Sequence, residues 1–288
     1  MSSTGIYALN RPNYARRKIG SMFMGGLCIA AAGVGLVFLA LILVTLVQRG
    51  SSAMSLDLFT QPMDNRRGLA NAIMGSLIQT GLGAAFGAPL GMAVGVYLSE
   101  VGKNGRFAQI VRFVNDILLS APSILIGLFV YQMMVYGHGY SGLAGSVALA
   151  LLAMPVVART TEDILKLVPD SYREGSIALG ARDSTTVSRV LIPAAFGGIL
   201  TGILLAVARI SGETAPLLFT SFGNSHYQLN ITGGPMASLP WAIYNYAAKS
   251  PEPALNNQAW AGALIITFGV LLFNVLSRLS HFLVSRAK

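Results

Sequence analysis

Asp170-Ser-Tyr-Arg-Glu174-Gly-Ser-Ile-Ala-Leu-Gly180-Ala-Arg-Asp183-Ser-Thr-Thr-Val-Ser-Arg189-Val-Leu-Ile-Pro193 is a polar, charged stretch between two runs apolar enough to cross a bilayer. Its local chemistry predicts two short helices around a glycine turn. Ser171 and Glu174 have capping-box spacing, Gly180 suits a left-handed stop, and Asp183 or Ser184 is placed to cap the second helix. Pro193 is expected to end the unit where the next apolar run begins. A membrane chain does not need so structured an element merely to reverse direction. The stretch reads as a docking knob for a soluble partner, with the rest of the chain arranged to move it.

Composition supports a membrane setting. The 288 residues are 53% hydrophobic and 11% charged, with mean hydropathy +0.62, whereas soluble chains are about a quarter charged. Length alone would suggest one or two soluble domains, but the apolar runs override it. A net charge of +9 invites nucleic acid as a partner, a reading that the placement of the basic residues removes below. The single cysteine, Cys28, lies in an apolar run. It allows no intrachain disulfide and no thiol–metal cluster, and is expected to be a small buried hydrophobe. The first apolar run follows Arg16-Arg17-Lys18 and continues to about Val47, far beyond a signal-peptide core of about 7–15 residues. It is expected to stay as a helix.

A bilayer core about 30 Å thick needs roughly 20 apolar residues per helix. Six runs meet or approach this: about 19–47, 69–98, 117–136, 142–162, 194–222 and 259–284. No period of two runs through them, which argues against a barrel. The fold class predicted is all-α: a polytopic membrane protein with six transmembrane helices. A tail at 1–18 precedes one transmembrane domain, 19–288, carrying a hairpin at 166–193.

Orientation follows from lysine and arginine. With the N-terminus inside, the cytoplasmic set is Arg11, Arg16, Arg17, Lys18, Lys103, Arg106, Arg112, Arg159, Lys166, Arg173, Arg182, Arg189, Arg278, Arg286 and Lys288, which is 15 of 20. Only Arg49, Arg66, Arg67 and Lys249 fall outside, and Arg209 lies within a helix. Both termini and the hairpin are therefore expected in the cytoplasm, and topology accounts for the +9 with no nucleic acid.

Between the runs, 49–68 reads as an external loop. The second run carries Gly83, Gly87, Gly91 and Gly95 at i, i+4 spacing, a small-residue stripe suited to close helix packing, with a pore-facing surface as the other reading. Residues 100–116 form a basic amphipathic stretch expected along the inner interface. Ser120, Pro122 and Ser123 interrupt the cytoplasmic half of the third run, and 137–141 reads as a tight external turn. Arg159, Glu162, Asp163 and Lys166 alternate in sign at helical spacing. The long segment 223–258 contains an interfacial-looking stretch at Leu239–Ala248, which either meets a partner or covers the bundle.

The fifth run holds Arg209-Ile-Ser211-Gly212-Glu213-Thr214-Ala-Pro216. An unbroken span over 194–222 puts Arg209 near the bilayer centre, where an ionisable group costs about 2.5 kcal/mol or more. Arg209 and Glu213 at i, i+4 can pair along one face, and Gly212 and Pro216 weaken the same turn. Two readings stand: an internally neutralised pair that joins helices, or an arginine that meets an anion in transit with Glu213 limiting its hold. Arginine suits a tetrahedral oxyanion because its fork donates two parallel hydrogen bonds, and Ser211 and Thr214 can add hydroxyls. No Walker A sequence, Gly-x-Ser-x-Gly elbow or His-Glu-x-x-His motif is present, and His138, His226 and His281 are isolated. No catalytic residue and no metal site is expected. An ATP-driven role would need an engine on another chain.

Glu174-Gly-Ser, three residues, Gly180, nine residues, Val190-Leu-Ile-Pro193 resembles the EAA loop of bacterial ATP-binding-cassette importer permeases. Glycine and serine stand at 175 and 176, where that motif has two alanines. Asn115–Ser123, Arg159–Glu162 and Ala208–Phe219 are similar to the phosphate-specific permeases of that family, as are 68–72 and 259–262. The resemblance extends from roughly residue 50 to 278. It implies a type I, MetI-like permease in the bacterial inner membrane, not itself an enzyme. ATPase coupling would fall to Ser171, Arg173, Glu174, Gly180 and Asp183, and phosphate passage to Arg209 and Glu213. It also implies a second permease (PstC-like), two ATPase subunits (PstB-like) that carry the ATP and Mg, a periplasmic phosphate-binding protein (PstS-like) and a PhoU-type regulator. Permeases for sulfate or molybdate are the nearest alternative.

Overall fold

Hydrophobic runs, broken by glycine, proline and short polar turns, fold into helices throughout the described part of the chain. The computed structural model describes residues 11–65, 68–103, 105–250 and 252–286. Among these residues five helices are long and apolar enough to cross a membrane, or six if one bent pair counts as a span.

The first helix, α1 (Arg11–Ser52), starts earlier than the expected 19, so residues 11–18 are helical; residues 1–10 lie outside the described part. Its 42 residues extend about 63 Å at 1.5 Å per residue. Side chains from 16 to 44 are exposed, Cys28 among them rather than buried. Apolar residues lie on all sides, so no single stripe is selected for packing on the same chain. The chain divides at Arg49/Gly50 into two compact units.

The second unit contains the remaining elements. A short helix, α2 (Asp57–Thr60), and a 3₁₀ turn at Met63–Asn65 lead into α3 (Ala70–Val96), which ends in a π turn, Tyr97–Val101. Gly83, Gly87, Gly91 and Gly95 of α3 are buried against α6 (Gly142–Lys166). A Cβ at Gly83 would lie 2.8 Å from Leu149 Cβ, at Gly87 2.8 Å from Ala150 O, at Gly91 2.5 Å from Met154 O, and at Gly95 2.6 Å from Ala158 O. Numbers rise together on both helices, so α3 and α6 run parallel with their backbones in contact. The stripe is a packing seam, not a pore lining.

The third apolar run is divided. Helix α4 (Arg106–Ser120) is joined to α5 (Ser123–Val130, continued by a π turn to Val135) through a bend of 104°. Ala121 and Pro122 are both extended, since a residue before proline is driven out of the helical region. Phe107, Ile110, Phe113 and Ile117 are exposed on α4, so the amphipathic helix reaches four residues further than the expected 100–116 and leaves a short α5.

Helix α7 (Asp170–Ala178) begins after Pro169, with no side-chain cap, so Ser171 sits in the first turn and forms no capping box. The proline already fixes the entry dihedral there. Gly180, at φ +76°, closes α7 as expected. Its N–H donates to Ile177 O (2.8 Å), and that of Ala181 donates to Ser176 O (3.1 Å), a Schellman ending. Helix α8 (Asp183–Thr186) likewise lacks a side-chain cap from Asp183 or Ser184, because Arg182 occupies the N-cap position and its carbonyl accepts from Thr185 and Thr186. Pro193 does not end the unit. It lies in the first turn of α9 (Ile192–Ser211), and a π turn at Val187–Leu191 carries α8 into α9 as one span, 183–211. Widening the turn accommodates the ring that would otherwise clash with the carbonyl at i−4.

The fifth run also breaks, at Gly212, before a short α10 (Ala215–Thr220). Pro216 of α10 packs on α5, where a Cβ at Gly127 would meet Pro216 Cα at 2.6 Å. The segment after α10 returns over the bundle. In α11 (Leu239–Lys249), Trp241 and Tyr246 are buried with Leu58, Met63, Leu69 and Leu255, rather than interfacial. Asn71 holds this cover: its amide donates to Asn224 O (2.8 Å), and its oxygen accepts from Met63 N (3.1 Å). Helix α12 (Pro253–Arg286) completes the unit.

Candidate functional site

At the hairpin end of the bundle, α7 presents two contrasting faces. Ser171, Glu174, Gly180 and Asp183 are exposed, together with Tyr172, Ile177 and Leu179, the last at 90%. Three exposed hydrophobes thus stand beside charged residues on this short hairpin. Inside the hairpin, Ser176 and Thr186 share a buried hydrogen bond of 2.8 Å, which joins α7 to α8.

Arg173, grouped from the sequence with the coupling residues, points the other way. Its Nε donates to Glu100 Oε2 (3.0 Å) and Nη2 to Glu100 Oε1 (2.7 Å). Nη2 also donates to Leu165 O (3.0 Å), while Nη1 reaches Val168 O (2.8 Å) and Asp170 Oδ1 (3.2 Å). Five N–H groups thus meet five acceptors. The hydrogen bonds to Glu100 push the guanidinium pKa up, a preference for the charged form that burial only partly opposes.

Two further ion clusters brace the same end. Glu162, almost fully buried, accepts from Arg112 Nε (2.7 Å) and from Lys166 Nζ. Arg112 also donates to the carbonyls of Leu98 and Lys103, so α4 is held to the ends of both α3 and α6. Arg159 pairs with Asp163 (3.2 Å) and with Asp116 of α4 (3.7 Å). The i, i+4 partners of 159–166 were readable from spacing. Glu100, Asp116 and Arg112 as cross-helix partners were not.

The second site is the break between α9 and α10. Arg209 occupies the last turn of α9, so an unbroken span with Arg209 at its midpoint is not what forms. The depth nevertheless follows from packing. A Cβ at Gly198 would meet Ile164 and one at Gly202 would meet Thr160, so α9 runs antiparallel to α6 in a register that carries Arg209 level with Ala153. Ala153 lies halfway along α6, and Ile210 and Leu152 share one buried cluster, as that register requires.

Arg209 Nε stands 3.7 Å from Glu213 Oε1, with side-chain exposures of 46% and 17%. The pair is in ionic range but outside hydrogen-bonding distance, which leaves the guanidinium fork open. Ser211 spends its hydroxyl proton on Ala208 O (2.8 Å), and Thr214 heads α10 with no side-chain cap bond. An apolar cavity of about 440 Å³ adjoins Ala208 and Ser211, lined also by Leu77, Ala84, Ile266 and Phe273. Its walls hold no ionisable residue. Elsewhere His226 Nδ1 lies 3.1 Å from Asp64 and His138 Nδ1 lies 3.2 Å from Tyr136 O. Among the described residues no three His, Cys, Asp or Glu side chains converge as metal ligands.

Comparison with known proteins follows the same lines. Residues 87–288 match the family described as binding-protein-dependent transport system inner membrane component. The phosphate transport system permease protein PstA of Haemophilus influenzae is 51% identical over 91% of this chain and 94% of its own length. That of Yersinia pestis is 49% identical over 88% and 86%, and PstA 1 of Mycobacterium tuberculosis H37Rv is 40% identical over 77% and 72%. Among solved structures, an inward-facing MetNI methionine ABC transporter chain gives a TM-score of 0.61 at 22% identity, over 73% of this chain and 93% of that one. A chain of a bacterial alginate ABC transporter, in complex with its alginate pentasaccharide-bound periplasmic protein, gives 0.66 at 13% identity, over 91% and 94%. These likenesses establish the fold. Taken with the relatives, they show that the chain belongs to the binding-protein-dependent transport system inner membrane components and, within them, to the PstA group of phosphate transport system permeases.

Proposed function

We propose that the chain is the transmembrane permease subunit of an ATP-driven phosphate importer, forming half of the translocation pathway and driven through the 170–190 hairpin. The observation that carries the reading is an arginine with an open fork at mid-depth, at a helix break, in a chain half-identical to phosphate permeases. The chain is not itself an enzyme. ATP and Mg belong to two separate ATPase subunits, a second permease supplies the other half of the pathway, and a periplasmic binding protein delivers phosphate. A PhoU-type regulator is the remaining expected partner.

The bias of lysine and arginine supports placing both termini and the hairpin in the cytoplasm of an inner-membrane protein. ATP binding then closes the ATPase subunits and moves the hairpin. The helices behind it rock to an outward-open state, the binding protein releases phosphate, and the anion passes Arg209 before hydrolysis resets the inward state. Glu213 weakens the hold of Arg209 on phosphate, which permits release. The break at Gly212–Thr214 supplies irregular backbone where it lines a pathway, the one place a membrane tolerates it.

Replacing Arg209 by Gln removes a charge-assisted contact worth about 1.5–3 kcal/mol, so phosphate uptake should fall roughly ten- to hundredfold while the complex still assembles. Uptake equal to wild type would overturn the pathway role. Sulfate and molybdate in excess should leave wild-type uptake intact; strong competition by either would move the assignment to another oxyanion.

A further inference from the structure

Beside a buried apolar cluster, the hairpin is tied to the transmembrane helices by one polar side chain whose donors are all used. Arg173 engages Glu100 through a two-point fork at 2.7 and 3.0 Å, and it also binds the carbonyls of Leu165 and Val168 and the carboxylate of Asp170. Glu100 lies in the π turn that ends α3, with its side chain 7% exposed, and Ser99 Oγ donates to it at 2.8 Å. Next along the chain, Glu174 is exposed on the docking face. Neighbouring residues of one helix, about 100° apart, thus serve different sides, one the exterior and one the bundle.

We propose that Arg173 and Glu100 form the strut that transmits movement of the hairpin to α3, and through the glycine seam to α6. Three features support a strut over ordinary surface pairing. A bidentate arginine–carboxylate fork resists both sliding and rotation, which a lysine point contact does not. The acceptors come from α7, from the end of α6 and from the end of α3, so a displacement of α7 pulls on both helices. The seam then prevents α3 and α6 from separating, because backbone meets backbone at four successive glycines. Arg173 is thus a positioning residue that acts behind the docking face, and the proposal rests on the hairpin being the element the ATPase subunits move.

The test uses the whole complex, both permeases with the ATPase subunits and binding protein, in proteoliposomes. Arg173→Gln, Glu100→Gln and the double variant are compared by phosphate imported per ATP hydrolysed, with complex yield as the control for assembly. The glutamine at 100 matches glutamate in shape, so that variant is the one expected to fold unaltered. The ratio should drop about tenfold in Arg173→Gln and several-fold in Glu100→Gln, and the double variant should be no worse than Arg173→Gln alone. Unchanged ratios in both single variants, or losses that multiply in the double, overturn the strut. Hydrogen exchange over residues 83–101 separates this from the function assignment. An ATP-dependent change there should appear in wild type and vanish in Arg173→Gln, whatever solute is carried. Its persistence in the variant also overturns the proposal, whereas a wild-type complex that moves no phosphate would overturn only the substrate.

Discussion

Replacing Gly91 by alanine tests the seam on which the bundle is built. A Cβ there would lie 2.5 Å from Met154 O, 2.9 Å from Val157 Cβ and 3.2 Å from Ala158 N. Two of those atoms are backbone and cannot rotate away. Ordinary contact begins near 3.4 Å, so α3 and α6 must part locally by about 0.9 Å. Separation of that size forfeits a quarter to half of the dispersion well for each pair across the gap, and overpacking typically costs about 1–3 kcal/mol. Opposing this, alanine is favoured over glycine in a helix by roughly 0.5–1 kcal/mol. Gly81 isolates the second term, because it lies on the same helix and a Cβ there meets nothing within 4 Å. Gly81→Ala should therefore raise the apparent melting temperature of the purified complex slightly, and Gly91→Ala should lower it by several degrees. Intrinsic fluorescence during heating in one detergent reads both. Equal shifts, or a rise for Gly91→Ala, would refute close backbone contact between α3 and α6.

The hairpin and its brace yield two more expectations. Gly180→Ala places a side chain at φ +76°, at a cost of about 1 kcal/mol, and should loosen the turn so that trypsin cuts near Arg182 faster. Gly175→Ala, in open space within α7, should protect the same bond and retain uptake; the same cutting rate for both would contradict the Schellman ending. Glu162→Gln leaves Arg112 and Lys166 without a buried carboxylate. Breaking such a pair costs about 3 kcal/mol, and it should appear as faster hydrogen exchange over 106–120. Unaltered exchange there would mean that Glu162 does not hold α4 in place.

The sequence was most informative where one physical constraint governs many residues. Apolar length located the second and fourth runs to within a few residues, and four glycines at i, i+4 allow few arrangements other than a packed seam. Gly180 was legible because few residues tolerate its backbone. Arg209 stood out because charge inside a hydrophobic run is expensive. What could not be read depends on a choice between local solutions. Ser171 has capping-box spacing with Glu174, but Pro169 starts α7 first. Pro122 interrupts a run in either reading, yet nothing local specifies a bend of 104°. Trp241 and Tyr246 look interfacial by composition, and only the partners Leu58, Met63 and Leu255, far away in sequence, make them core.

Glu100 shows the limit most clearly, because a single inserted residue decides its partner. Continuing the glycine series by four from Gly95 predicts that Ser99 faces α6 and that Glu100 points about 100° away, toward solvent with the basic stretch after it. The π turn at Tyr97–Val101 adds one residue to that turn. The next position on the seam side becomes five residues on, which is Glu100, and its carboxylate meets Arg173 instead of water. The π turn at Val187–Leu191 lies on the other side of the same hairpin, where it absorbs Pro193. The end of α3 that meets Arg173 and the join of the hairpin to α9 thus both depart from the α period. A period of 3.6 finds the helices on either side but misassigns the faces at their joints, and the strut is built from residues at one of those joints.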